Sequence, residues 1–183
     1  MQKTLLTLCL AAVTAFSFAQ ENAKESEEKV TGKNEIRFNL LNTIIGIPEI
    51  SYERMFNDNT GAGISVLARV YDDLDYNFGL IPYYRIYFGN AKRVSGFFIE
   101  ANAAFMQLDD DKYYIWTDGK GNWSSVPSDK TVSSFGIGAA AGGKFLTKSG
   151  FVGEAYFGLG RLFNKNAGSE AYPRIGITIG KRF

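Results

Sequence analysis

The chain has 183 residues, a one-domain length, with 20 Lys and Arg against 19 Asp and Glu and a formal net charge of +1. That balance excludes the strong positive field of a nucleic-acid binder, and the lack of any His removes imidazole bases and imidazole metal ligands. Gly (20) and aromatic residues (15 Phe, 10 Tyr, 2 Trp) are abundant and Pro (4) is scarce, which suits many paired strands because proline removes a ladder donor.

The first segment is MQKTLLTLCLAAVTAFSFAQ. Lys3 supplies a positive start, Leu5 to Phe16 an apolar stretch, and Ser17, Phe18 and Ala19 a small-x-small cleavage site. The pattern predicts a secretory signal peptide over 1–19 rather than a membrane span. Only five residues separate Cys9 from Lys3, too short an apolar stretch before a lipidated cysteine; it is the single cysteine, so the exported chain has no disulfide. Residues 20–33, QENAKESEEKVTGK, are charged and lack aromatics, which predicts a disordered periplasmic leader.

From residue 34 no segment carries a helical period. Eight stretches alternate with period two, at 34–45, 48–56, 62–71, 76–88, 97–108, 131–146, 151–163 and 172–183. Most run 9–13 residues. Ordinary strands are about 5–6 residues long, whereas a tilted strand crossing a membrane needs about 9–11. One face of each stretch is apolar: Ile64 and Val66 in the third, Phe78, Leu80, Tyr84 and Ile86 in the fourth, Phe97, Ile99 and Phe105 in the fifth. The other face holds Gly, Ser, Tyr and isolated charges. A soluble sandwich would carry a dense, interchangeable set of charges on its wet face. Sparse charges opposite a nearly pure apolar face predict the inverse: an all-β, eight-stranded antiparallel up-and-down transmembrane β-barrel over 34–183, oily outside and mixed polar inside.

The charges predicted to point inward are Arg37, Glu49, Glu53, Arg69, Arg85, Glu100, Lys144, Glu154, Arg174 and Arg182. Both signs are present. A buried charge costs several kcal/mol unless paired, so these residues are expected to form an ion-pair network that fills the lumen. Gly136, Gly138, Ala140 and Gly142 would leave room for it. Connections alternate in length as well. NDNTG, GNAKRVSG and TKSG are short turns on the side of the leader. Two opposite connections are longer, including the 22-residue stretch 109–130, and only the one near Gly46–Ile47 is short.

The closing segment YPRIGITIGKRF places Ile175, Ile177 and Ile179 at alternate positions and ends on Phe183. This end resembles the C-terminal signal of bacterial outer-membrane barrels, with Lys181 departing from it. The chain from 34 onward resembles small outer-membrane proteins of the OmpX, OmpW and OmpA-barrel kind. PEISYERMF followed by NDNTGAGISV is similar to an uncharacterised group of such barrels in Gram-negative bacteria. The resemblance implies an outer-membrane location, lipids and the barrel assembly machinery as partners, and Phe183 as the residue that machinery reads. It implies no nucleic-acid partner, and its motifs are architectural.

No catalytic residue, metal site or cofactor is assigned. Ser133 and Ser134 have no identifiable base, and Glu100 and Glu154 are expected to pair with cations rather than to act as an acid and base. The acidic tips Asp72, Asp73 and Asp75, and Asp109, Asp110 and Asp111, do not match a calcium loop. Tyr113, Tyr114, Trp116 and Trp123 give the stretch 109–130 possible contact residues, or members of an aromatic girdle. Three functions stay open: a structural or surface-interaction barrel acting through its outer loops, a narrow channel or carrier for small hydrophobic or ionic solutes, and an exported soluble lipocalin-like binder.

Overall fold

A computed structural model describes residues 32–71, 76–89, 94–109, 113–127, 130–163 and 171–183; the side chains of Tyr76, Tyr113, Tyr114, Trp116, Val126 and Pro127 lie outside the described set. The expected signal peptide and all of the expected leader except Gly32 and Lys33 also lie outside it.

Eight strands close into an antiparallel barrel: β1 (Asn34–Asn39), β2 (Glu49–Asn57), β3 (Thr60–Ala68), β4 (Tyr76–Phe88), β5 (Gly96–Asp109), β8 (Thr131–Leu146), β9 (Phe151–Leu162) and β10 (Ala171–Arg182). Between β5 and β8, strands β6 (Tyr113–Thr117) and β7 (Trp123–Pro127) form a separate two-stranded sheet. Each barrel strand pairs with its sequence neighbours in the barrel, and β10 returns to β1. At that seam Phe183 and Asn34 exchange backbone hydrogen bonds of 2.8 and 3.0 Å. Lys33 is already in place, its carbonyl accepting from Met55 N at 2.8 Å, so order begins before the first strand.

The eight strands were legible as period-two stretches, with one correction. Residues 40–45, expected to extend the first strand, leave it. Asn39 Oδ1 accepts from Asn42 N and Thr43 Oγ1 donates to Asn39 O, which caps a short helix α1 (Leu40–Ile44). The first connection at that end is therefore 40–48, not a tight turn near Gly46–Ile47. The stretch 109–130, expected as a plain polar loop, contains the β6–β7 hairpin. Its tip turns at Gly119 and Gly121, both with positive φ (72° and 90°).

Alternation along every strand sends one set of side chains inward. Inward glycines make room for inward rings. A Cβ on Gly160 would stand 2.0 Å from Tyr172 Cζ, and one on Gly138 would stand 2.7 Å from its hydroxyl. Gly63 faces Tyr83 and Gly176 faces Tyr156 in the same way. The barrel interior is therefore filled, as expected for eight strands. Leu67, Ile81, Met106, Leu108, Leu162 and Tyr172 form an apolar layer at the end away from the termini, with Ile47 packed on it. Met55, Tyr87, Val94, Phe98 and Tyr156 form another at the terminal end.

Glycines pointing outward have no such duty: nothing lies within 4 Å of a Cβ added at Gly143. Gly160→Ala is expected to lower stability by about 1–3 kcal/mol through overpacking against Tyr172, and Gly143→Ala by less than about 0.5 kcal/mol. Urea unfolding of the folded protein, followed by far-UV circular dichroism, checks the contrast.

Candidate functional site

Nine of the ten charges expected inside the barrel are buried there: Arg37, Glu49, Glu53, Arg85, Glu100, Lys144, Glu154, Arg174 and Arg182. Arg69 is not among them. It lies one residue past the end of β3, where its side chain keeps 22 % of its exposure and pairs with Asp109 at the rim. Register explains the difference. The inward parity of β3 does carry Arg69 toward the axis, but β3 has ended there, and Arg69 stands at the rim beside Asp109, the last residue of β5. The sequence reading omitted Glu35, which is fully buried. Its parity with Arg37, two residues on, was the available signal.

With Glu35 included, the buried set among the described residues holds five glutamates and five cations. They form one continuous column along the axis. At the terminal end Arg182 Nε donates to Glu35 at 2.7 Å, and Glu35 also receives Lys144 Nζ at 2.8 Å and Arg37 Nη1 at 2.6 Å. Arg37 and Lys144 link onward to Glu53, at 2.6 and 3.3 Å. Arg85 joins three carboxylates: Glu53 at 3.2 Å, Glu154 at 2.8 Å and Glu100 at 2.7 Å. Glu100 and Glu154 thus flank one guanidinium. Arg174 then bridges Glu100, at 2.9 Å, to Glu49. The column ends under α1, where Asn39 and Asn42 donate to Glu49 at 2.8 and 2.7 Å.

Aromatic walls complete it. The Arg85 guanidinium lies 4.2 Å from the Phe98 ring centre and 4.6 Å from that of Tyr83; Lys144 Nζ lies 4.5 Å from that of Tyr87. Tyr87 donates to Glu53, and Tyr83 accepts from Arg37. Removing such charges from water carries a large penalty, and only mutual pairing with well-aimed hydrogen bonds offsets it. Equal numbers of each sign make the column neutral overall. Its members come from seven of the eight barrel strands, and Arg174 Nη2 reaches the eighth, β3, by donating to Ser65 Oγ at 3.0 Å. At the terminal mouth the Val94 carbonyl accepts from Arg182 Nη2 at 2.9 Å.

The other expected site residues fall elsewhere. Ser133 points outward and Ser134 inward; the Ser134 hydroxyl makes no hydrogen bond. Trp123 is exposed on the hairpin. Tyr113, Tyr114 and Trp116 lie on β6, and their side chains are outside the described residues, as are Asp72, Asp73, Asp75, Asp110 and Asp111. Among the described residues no group of three or more His, Cys, Asp or Glu side chains is placed to hold a metal ion. Phe183 projects from the outer wall at the seam. Beside it Lys181 donates to Ser149 O at 2.9 Å and lies over the Phe151 ring, so its charge is directed toward the rim.

At the hairpin tip, Asp118 accepts from the amides of Lys120 (2.8 Å) and Asn122 (3.2 Å) and from Asn122 Nδ2. The Lys120 amide first, then the Asn122 side chain, hold its carboxyl below the usual carboxylate range. The order this contributes to the tip is present above the ordinary carboxylate pKa and is lost as pH falls through the depressed value. Amide exchange at Lys120 and Asn122, corrected for its intrinsic pH dependence, should lose protection on acidification, and Asp118→Ala should lose it at neutral pH.

Arg85→Met leaves Glu53, Glu100 and Glu154 short of a cation and is expected to destabilise the barrel by about 3–5 kcal/mol. Arg69→Ala, at the wet rim, should cost no more than about 1 kcal/mol. Urea midpoints of the two variants against the parent chain test this. Comparison of the chain with protein-family models, with curated proteins and with solved structures found no match in any of the three. What stands is the architecture: a closed eight-stranded antiparallel barrel with buried charges inside it.

Proposed function

We propose that this protein is a small bacterial outer-membrane β-barrel, exported through its N-terminal signal, with a structural or surface-interaction role exercised by its outer connections. The observation that carries the reading is the inversion of polarity. The lumen holds the ten ionic side chains, while Ile99, Phe105, Phe157, Leu159, Ile177 and their neighbours stand exposed on the wall. A continuous apolar surface of that extent marks an interface, and a belt around a closed barrel suits lipid.

The belt has edges of the right kind. Phe88 and Phe97 pair at the terminal end with ring centres 6.0 Å apart. Phe105, Phe135 and Phe163 form a row at the other, at 5.1 and 5.9 Å. Phe97 and Phe105 are eight residues apart on β5, and Phe135 and Phe145 ten apart on β8. At about 3.3 Å per residue and a tilt of about 40°, the rows are separated by about 20–25 Å, close to the apolar height of outer-membrane barrels. On β5 and β8 the outward residues beyond the Phe105–Phe135 pair turn polar, with Gln107 donating to Thr131. The partners this implies are outer-membrane lipids around the wall and the assembly machinery at the Phe183 end.

The filled lumen favours a structural or surface role over a narrow channel or carrier. A soluble lipocalin-like binder would present the opposite polarity, an apolar lumen and a polar wall. The expected outcomes are recovery in the outer-membrane fraction, a shift in gel mobility between unheated and boiled samples, and a flat current trace in planar bilayers. Recovery in the soluble periplasm would overturn the membrane reading. Steady defined openings would overturn the non-conducting role and leave the membrane reading standing.

A further inference from the structure

Among the described residues, four buried side-chain atoms make no hydrogen bond: Arg37 Nε, Ser134 Oγ, Glu154 Oε1 and Thr178 Oγ1. Three of them belong to residues that neighbour one another on one patch of the lumen wall. Thr178 on β10 stands directly across from Glu154 on β9 and from Asn39 on β1. Arg37 shares the inward face of β1 with Asn39, and its Nε lies 3.7 Å from Glu154 Oε2. That is too long for a hydrogen bond, and a polar contact of that length raises the question of an intervening water.

The other buried arginines behave differently. Nε of Arg85 and Nε of Arg174 donate to Glu100 at 2.7 and 2.9 Å, and Nε of Arg182 donates to Glu35 at 2.7 Å. Arg37 stops short although Glu154 keeps a whole oxygen unused. A buried donor and a buried acceptor left unmade each cost about 1–3 kcal/mol, so a shared partner is strongly favoured.

The chemistry of the three atoms selects that partner. Arg37 Nε can only donate, Glu154 Oε1 can only accept while ionised, and Thr178 Oγ1 can do either. A cation would meet the guanidinium and an anion would meet the carboxylate. A neutral molecule that donates and accepts through a single heavy atom suits all three. We propose that Arg37, Glu154 and Thr178 form a binding site for one internal water molecule. The water accepts from Arg37 Nε, donates to Glu154 Oε1 and exchanges a third hydrogen bond with Thr178, within the usual count for buried water. It completes the ionic column where direct pairing fails. This site does not depend on whether the outer wall meets lipid.

The test uses the full chain, isotopically labelled and folded in detergent micelles, with water-selective NOE and ROE spectra read at the arginine ε N–H groups. The expected result is a direct water cross-peak at Arg37 and none at Arg85, Arg174 or Arg182. Thr178→Val should weaken the Arg37 peak at least severalfold, and Thr178→Ser should retain it. An Arg37 ε N–H as silent as the other three overturns the proposal, as does a peak of unchanged intensity in Thr178→Val. The contrast among the four arginines of the parent chain decides the matter if the valine variant fails to fold.

Discussion

An ionised side chain sealed inside a ring of strands must find its counter-charge within the same ring. That constraint organises this protein. Five cations and five glutamates are shut in together, and none can be satisfied by its own strand alone. Arg85 on β4 needs β2, β5 and β9; Lys144 on β8 needs β1 and β2. Some pairs join neighbouring strands, as Arg85–Glu100 and Arg182–Glu35 do, and others cross the lumen, as Lys144–Glu53 and Arg85–Glu154 do, so the barrel is held across its width as well as around its circumference. Removal of one member would strand several partners, which is why the column acts as a unit and not as a sum of bridges.

The column has the shape it does because the strands supply little else to fill the space. Glycines stand opposite rings, as Gly160 and Gly138 do beneath Tyr172, so aromatic side chains can lie flat against the wall. The rings in turn face guanidinium and ammonium groups and supply hydroxyls to carboxylates. Apolar layers lie at the two ends of this arrangement. With the lumen so occupied, the surfaces that stay exposed among the described residues are the apolar wall, the two rims and the β6–β7 hairpin between β5 and β8. The Asp118 carboxylate and two positive-φ glycines shape that hairpin's tip.

The polarity of the fold also explains how it can lack disulfides and a conventional core. Hydrogen bonding around a closed ring gives each barrel strand a partner on both sides, so the barrel has no edge strand to act as a template for other chains. The seam between β1 and β10 is the last contact made along the chain, and it is where Phe183, Asn34, Arg182 and Glu35 all converge. The end of the sequence thus serves both the backbone closure and the ionic column.

Period-two alternation made the strands and their faces legible from the sequence, because a side chain on a strand can point only one way or the other. Ile175, Ile177 and Ile179 read as outward, and Arg85, Glu100 and Glu154 as inward, before any pairing was known. Local capping chemistry hid the helix after Asn39, since LLNTI continues a strand-like composition and only the Asn39 and Thr43 side chains redirect it. What alternation cannot supply is height and partner. Arg69 and Arg85 share a parity, yet one reaches the rim and the other three carboxylates, because strand stagger decides which residues lie at one level of the barrel. The composition thus determined which groups had to be neutralised. Only the closed ring, through its register, decided which carboxylate met which cation and where Arg37 and Glu154 were left a few tenths of an ångström too far apart.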